Sequence, residues 1–326
     1  MNILVVGGAG YVGSHCLRRI LAEGHKAIVY DNLSQGHRAA VPQGILFEGD
    51  ILDRSRLVQV MRDHQIDTVM HFAAKALVGE SVTHPDIYYQ CNVTGTLTLL
   101  DSMLAANVKR IVFSSTCAVF GVVDSPIHEN LSKNPINPYG FTKLVIERAL
   151  ADYANAYQLE AAALRYFNAC GAADDGNIGE DHHPESHLVP IVLQVALGQR
   201  PHVSVFGSDY PTPDGTCIRD YVHVDDLADA HLRVIGHLVA GKLVDYNLGT
   251  GVGVSVSQVI QAAREVTGHP IPVVWADRRP GDPGMLMGDA SKAEREIGWK
   301  AKHKDIREVI RSAWHWHSNH PNGFER

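Results

Sequence analysis

Long hydrophobic runs are missing from this sequence: no stretch approaches the roughly 20 consecutive apolar residues that a membrane-crossing helix needs. Blocks of like charge are missing too, and the formal net charge is −7. A surface built to grip nucleic-acid phosphates is therefore not expected. Cysteine is scarce, with five residues in 326, all scattered and none in a Cys-x-x-Cys pair. That argues against a disulfide framework and fits a reducing compartment. The Met1-Asn2-Ile3 start carries no basic segment, and its apolar run breaks at Gly7. It reads as a strand and a turn rather than a secretory leader, so a cytoplasmic protein is expected. What is present is ordinary for a chain with a large core: 45% hydrophobic and 20% charged residues.

The first half alternates short apolar runs with helical stretches. Ile3–Val6, Ala27–Tyr30, Ile45–Phe47, Thr68–Phe72 and Arg110–Phe113 read as buried parallel strands, with further strands at Ala161–Arg165 and Asp245–Leu248. Helices are expected near His15–Glu23, Arg54–His64, Val93–Ala106 and Tyr139–Tyr157. Strands separated by crossovers of this length predict an α/β fold, a doubly wound parallel sheet with helices on both faces. From about Ala169 prolines and glycines cluster, which predicts a second lobe of loops and small helices. The expected division is 1–168 and 169–326, with about 221–250 returning to the main sheet.

Gly7-Gly8-Ala9-Gly10-Tyr11-Val12-Gly13 follows the first strand and opens a helix. Gly7, Gly10 and Gly13 let the backbone turn tightly and approach a pyrophosphate seated on the helix N-terminus. Taken alone, such a cluster is weak evidence, because a tight strand-to-helix turn with no ligand also uses it. The second strand ends in Asp31-Asn32, about 20 residues on, where a Rossmann dinucleotide site places the carboxylate that holds the ribose hydroxyls. Asp31 would repel a 2′-phosphate and no arginine immediately follows it, so NAD is favoured over NADP. Asp50, after the third strand, can meet the adenine or simply hold a turn.

The fifth strand leads into Ser114-Ser115-Thr116, and the next helix carries Tyr139 and Lys143, four residues apart and so on one face. A phenol titrates too high to be a base at neutral pH. A neighbouring ammonium and an oxidised nicotinamide both favour the phenolate, and Thr116 supplies a hydroxyl to relay the proton.

These residues resemble the extended short-chain dehydrogenase/reductase family. Within it, the resemblance is to members that invert C4′ of UDP-hexoses, and it runs nearly end to end. It is carried by GGAGYVGSH, YDNLS, EGDI, HFAA-x-x-LVGES, NVTGTL, FSST, NPYG-x-T-K, LRYFNACGA, FGSDYPTPDGTCIRDYVHVDDLADAH, NLGTG, RRPGDP and WHWHS. The resemblance implies NAD contacts from Tyr11, Val12, Asp31, Asn32, Asp50, Ile51, Phe72, Ala73, Ala74, Lys75, Asn92, Tyr139, Lys143 and Phe167. It implies UDP-sugar contacts from Thr116, Tyr139, Asn168, His187, Leu188, Ser204, Phe206, Arg219, Arg279, Asp282 and Leu286. Arg219 and Arg279 suit a pyrophosphate, and Phe206 suits the flat face of uracil.

Interconversion of UDP-glucose and UDP-galactose on resident NAD, by a homodimer joined through the two long helices, is the expectation that follows. Several positions depart from the family's commonest pattern: Thr116 stands for serine, Phe120 for tyrosine, His187 for asparagine and Leu286 for tyrosine, and Lys75 is displaced by one position. Inversion of UDP-xylose/UDP-arabinose or of UDP-N-acetylglucosamine/UDP-N-acetylgalactosamine therefore stays open as an alternative. A 4,6-dehydratase would carry Asp-Glu where this chain has Cys117-Ala118, and a non-catalytic NAD sensor would have no use for the Tyr139/Lys143 pair. The 19 histidines, including His182-His183 and His315-Trp316-His317, show no carboxylate or cysteine spacing that completes a metal site, and none is expected.

Overall fold

The computed structural model describes residues 1–123, 126–279 and 282–324. Seven strands form one all-parallel sheet: β1 (Asn2–Val6), β2 (Lys26–Asp31), β3 (Leu46–Glu48), β4 (Thr68–His71), β5 (Arg110–Thr116), β6 (Glu160–Tyr166) and β10 (Lys242–Leu248). Their spatial order is β10-β6-β5-β4-β1-β2-β3. The order reverses between β1 and β4, and ligands of such sheets bind in the crevice beyond the strand ends at that reversal. The remaining strands are β7 (Asn168–Cys170), β8 (Val203–Phe206), β9 (Ile218–His223), β11 (Gly253–Ser255), β12 (Val273–Ala276) and β13 (Met285–Leu286). The helices are α1 (Tyr11–Ala22), α2 (Arg54–Asp63), α3 (Val78–Thr83), α4 (Pro85–Tyr88), α5 (Gly95–Ala105), α6 (Pro138–Tyr157), α7 (Leu188–Ala196), α8 (Val224–Arg233), α9 (Val256–Thr267), α10 (Ser291–Ile297) and α11 (Ile306–Asn319).

Period-two alternation sends the two halves of each strand to opposite faces. Leu4 and Val6 join Leu57, Leu99, Leu100, Ile146 and Leu150 on the face covered by α2, α5 and α6. Ile3 and Val5 join Leu17, Ile20, Leu227 and Trp299 on the face covered by α1 and α8. Among the described residues no helix is long and apolar enough to cross a membrane.

Three expectations need correction. The first helix begins at Tyr11 rather than near His15. Gly13 in its first turn weakens the helical signal, yet a Cβ there would collide with the Gly7 carbonyl. Before α5 the chain is already helical, running through α4 and a wide π-turn over Tyr89–Thr94. The second lobe is not only loops and small helices. β9 is paired with β7, β11 and β13, β8 pairs with β12, and α9 and α11 run for 12 and 14 residues. Within 221–250, Lys242–Leu248 forms the β10 edge of the main sheet, whereas Tyr221–His223 belongs to the smaller sheet.

Candidate active site

The glycine loop is shaped by contacts of its own. Gly7 has φ +80°, and a Cβ there would collide with the backbone of Ala73; a Cβ at Gly8 would press on Val5 and Val29 at 3.0 Å. At Gly10 a Cβ would meet nothing nearer than the Gly7 carbonyl oxygen at 3.5 Å, so packing does not demand that glycine. Its bare Cα opens the crevice side of the loop at the N-terminus of α1, which fits the close approach of a pyrophosphate.

Asp31 ends β2 and is almost fully buried. Its Oδ2 accepts the Ala9 N–H (3.0 Å) and its Oδ1 the Leu33 N–H (2.8 Å). Burial raises its pKa against these hydrogen bonds. Each oxygen keeps a second acceptor position for a ribose hydroxyl. Asn32 donates to Asp50 Oδ2 (3.0 Å), and Asp50 Oδ1 accepts the Leu52 N–H (2.9 Å), so Asp50 does hold the turn after β3.

Some residues expected at the cofactor use their polar groups on the protein. The Tyr11 hydroxyl donates to the Gly171 carbonyl (2.7 Å). Asn92, wholly buried in the π-turn, accepts the Lys75 N–H (2.8 Å) and donates to the Lys75 carbonyl (3.0 Å) and to Thr142 Oγ1 (3.1 Å). Its side chain therefore clamps the 72–75 loop to α6. Val12, Phe72, Ala73, Ala74 and Lys75 are half-buried. Ile51 is buried against α5, where a Cβ at Gly95 would crowd it. Half-buried Phe167 packs across Gly288.

The NPYG segment explains where Tyr139 sits. Asn137 caps α6 by accepting the Gly140 N–H (2.8 Å), and Pro138 occupies the first helical position. A Cβ at Gly140 would lie 2.6 Å from the Ala118 carbonyl oxygen, so only glycine lets the helix start close against the turn after β5. Thr116, the last residue of β5, caps that turn, and its hydroxyl lies against the Tyr139 phenol. One helical turn on, Lys143 donates its Nζ to the Ser114 carbonyl (2.8 Å) and lies 6.0 Å from the Tyr139 ring centroid.

Burial dominates the electrostatics of this pair in the protein alone. Burial pushes the Tyr139 phenol up to about 12, with Thr116 only partly opposing it. Burial also brings the Lys143 ammonium down to about 8, while the Cys91 thiol and the Glu147 carboxylate act to hold it charged. The chain by itself therefore keeps the phenol protonated.

A cavity of about 500 Å³ opens beside this centre. Asn168, His187, Leu188, Ser204, Phe206, Arg219, Arg279 and Asp282 all line it, although they come from five separate stretches of sequence. Asn168 lies two residues beyond Tyr166, which pairs with Thr116 across β5 and β6. Arg219 is engaged with the Asp282 carboxylate and donates to the Ile218 carbonyl (2.8 Å). Arg279 stands over the Phe206 ring at 4.0 Å, leaving one ring face for another partner. Leu286 does not line this cavity. It packs in a small cluster with Cys117, Val119, Phe120 and Phe167, because its backbone is tied to Arg219 in the β13–β9 pairing. Pro280 and Gly281 of the RRPGDP segment lie outside the described residues.

Reading by motif missed two groupings. Glu147 continues the Tyr139/Lys143 face by one more turn and accepts from Ser115 Oγ (2.7 Å), Lys133 Nζ (3.0 Å) and the fully buried Arg165 (2.7 and 2.8 Å). The i, i+4, i+8 spacing was visible in the sequence, but its meaning depends on β6 delivering Arg165. The second grouping joins His182 and His187 to the carboxylates of Glu180 and Glu185. Adjacent-histidine spacing does not reveal it, since loop geometry brings the four together.

Comparison with known proteins agrees with this fold. Residues 3–249 match the NAD dependent epimerase/dehydratase family, and the chain belongs to that family. It is 52% identical over 326 residues to the UDP-glucose 4-epimerase of Halalkalibacterium halodurans, covering 99% of this chain and 98% of that one. The structure of the Brucella ovis UDP-glucose 4-epimerase in complex with NAD superimposes with a TM-score of 0.93 at 48% identity, covering 97% of this chain and 98% of that one. The Bifidobacterium longum UDP-glucose 4-epimerase in complex with NAD+ and UDP gives 0.94 at 41% identity, covering 99% and 100%.

Proposed function

We propose that this protein interconverts UDP-glucose and UDP-galactose by inverting C4′ of the sugar on resident NAD. One observation carries the reading: Tyr139, Thr116 and Lys143 meet at the C-terminal end of β5, beside a cavity lined by the residues expected to hold a UDP-sugar. Gly7, Gly10 and Gly13 would admit the NAD pyrophosphate, and Asp31 the adenosine ribose. Bound there, NAD would supply a reversible hydride acceptor for C4′, so the reaction would need no second substrate.

The chain's own residues perform the proton chemistry. Tyr139, pushed up to about 12 in the protein alone, needs a further positive charge beside it before it can act as a base near neutral pH. Lys143, anchored on the Ser114 carbonyl, supplies part of that charge and fixes the phenol's neighbour. Thr116 passes the 4′-hydroxyl proton towards Tyr139, and the same path returns it to the 4′-oxygen once C4′ is inverted. Arg219 and Arg279 lie where a pyrophosphate would be neutralised, with the Asp282 carboxylate exchanged or shared on binding. Phe206 offers its free face to uracil.

The reading is tested by incubating the purified protein with UDP-galactose without added NAD and measuring UDP-glucose. Turnover is expected, with NAD rather than NADP released on denaturation. Stoichiometric NADP would overturn the role of Asp31. The same reading includes a homodimer built on α5 and α6, whose surfaces expose Leu97, Phe141 and Tyr157. Light scattering at micromolar concentration should give twice the 35.6 kDa chain mass.

A further inference from the structure

The segment 180–187 gathers two carboxylates and two imidazoles at one point beside the cavity. The candidate ligand atoms of Glu180, His182, Glu185 and His187 all lie within 4.8 Å of one another. His182 Nδ1 is 3.2 Å from Glu180 Oε1 and 3.8 Å from Glu185 Oε2, and His187 Nδ1 contacts Glu180 Oε1. We propose that these four residues form a binding site for a divalent transition-metal ion, zinc by its donor set.

Four observations support the proposal. The donors are two nitrogens and two oxygens, a set that suits four-coordinate zinc. With metal–ligand bonds of about 2.0–2.2 Å, tetrahedral donors sit roughly 3.3–3.6 Å apart. The present spacing needs adjustments of only about an ångström to reach that. The two carboxylate side chains are each only 3% exposed, so they cannot turn to water for their partners.

The ligands are also oriented from behind, as metal sites require. Glu185 Oε1 accepts the Ser186 and His187 N–H groups (2.7 and 2.8 Å), which leaves Oε2 facing His182. The Glu180 carbonyl accepts from Trp316 Nε1 (3.3 Å), and the neighbouring Asp181 accepts the Phe324 N–H (3.0 Å). The backbone carrying the donors is thus tied to α11 and the chain end. His182 stands edge-on to the Tyr11 ring at 6.1 Å. A bound ion would lock this strap across to the start of α7, where His187 and Leu188 line the cavity.

The site shares His187 with the cavity lining, and its test does not measure turnover. The NAD-loaded protein is stripped with a chelator, then titrated with Zn²⁺ by calorimetry and with Co²⁺ by visible absorption. One ion per chain is expected, with the intense d–d bands of four-coordinate cobalt. His182→Gln and Glu185→Gln should each weaken zinc binding at least tenfold and abolish those bands, whereas His183→Gln should change neither. X-ray absorption on the zinc-loaded wild type should show two imidazoles and two oxygens, which covers the case in which a variant fails to fold. Equal zinc affinity in all variants, no stoichiometric binding, or a shell of three or more imidazoles would overturn the proposal.

Discussion

Tyr139 illustrates how much a single side chain depends on its surroundings. Burial raises its pKa to about 12 and Lys143 is held by a carbonyl of β5 rather than by the phenol. Replacing the phenol with Phe removes the proton acceptor but leaves the cavity lining untouched. Tyr139→Phe should lower kcat by about 10²–10⁴ while UDP affinity changes little. Near-wild-type turnover would mean that another group takes the proton. Leu286 makes a different case. It packs with Phe167 and Phe120 next to the catalytic turn, not in the wall of the uridine-side cavity. A tyrosine there is longer and would reach past this cluster towards the sugar. Leu286→Tyr is expected to depress kcat/KM for UDP-N-acetylgalactosamine by up to about 1–3 kcal/mol while sparing UDP-galactose. Equal loss on both substrates would show that the position does not gate the sugar.

At the scale of elements, α6 unites catalysis with stability. Its first turns carry Tyr139 and Lys143, and its next turn carries Glu147 into the ionic network of Arg165, Lys133 and Asp245. Arg165 is fully buried on β6, so removing its main acceptor leaves a guanidinium supported mainly by Asp245. Glu147→Ala should cost about 3–5 kcal/mol of stability, read from the urea midpoint. A loss below about 1 kcal/mol would show that Asp245 alone satisfies the arginine. A second device of this kind is Asp220 on β9. It accepts from Thr250 N (2.9 Å), Thr250 Oγ1 (2.6 Å), Gly251 N (3.2 Å) and Gly288 N (3.2 Å), stapling two loops behind the cavity. The long RDYVHVDD motif thus serves architecture as well as the site.

The molecule as a whole carries several histidines that burial keeps neutral. His71 is brought down to about 3, and His223 and His231 to about 4. Their folded pKa values lie below the unfolded value near 6.5, so the unfolded chain binds more protons between those limits. The stability they contribute is whole above about pH 6.5 and is lost as pH falls towards 4 and 3. The melting temperature should therefore fall steadily on acidification from pH 6.5 to 4. A flat profile across that window would show that these rings are hydrated or already charged in the folded state.

The seven main-sheet strands, the glycine loop, Asp31 and the Tyr139/Lys143 pair were legible in the sequence. They are local: apolar runs of strand length, a turn that only glycine can make, and a helical spacing of four. The short strands β7, β8, β9, β11, β12 and β13 were not, because runs of two to six residues among prolines and glycines leave no periodicity to read. What the phenol would experience also lay beyond the sequence, since desolvation is set by everything packed around Tyr139 and not by its neighbours in the chain. The same holds for Glu147 with Arg165 and for Glu180 with His187. In each, the residues are written in the chain, but charge pairing acts over a few ångströms, and only the folded backbone decides which groups come that close.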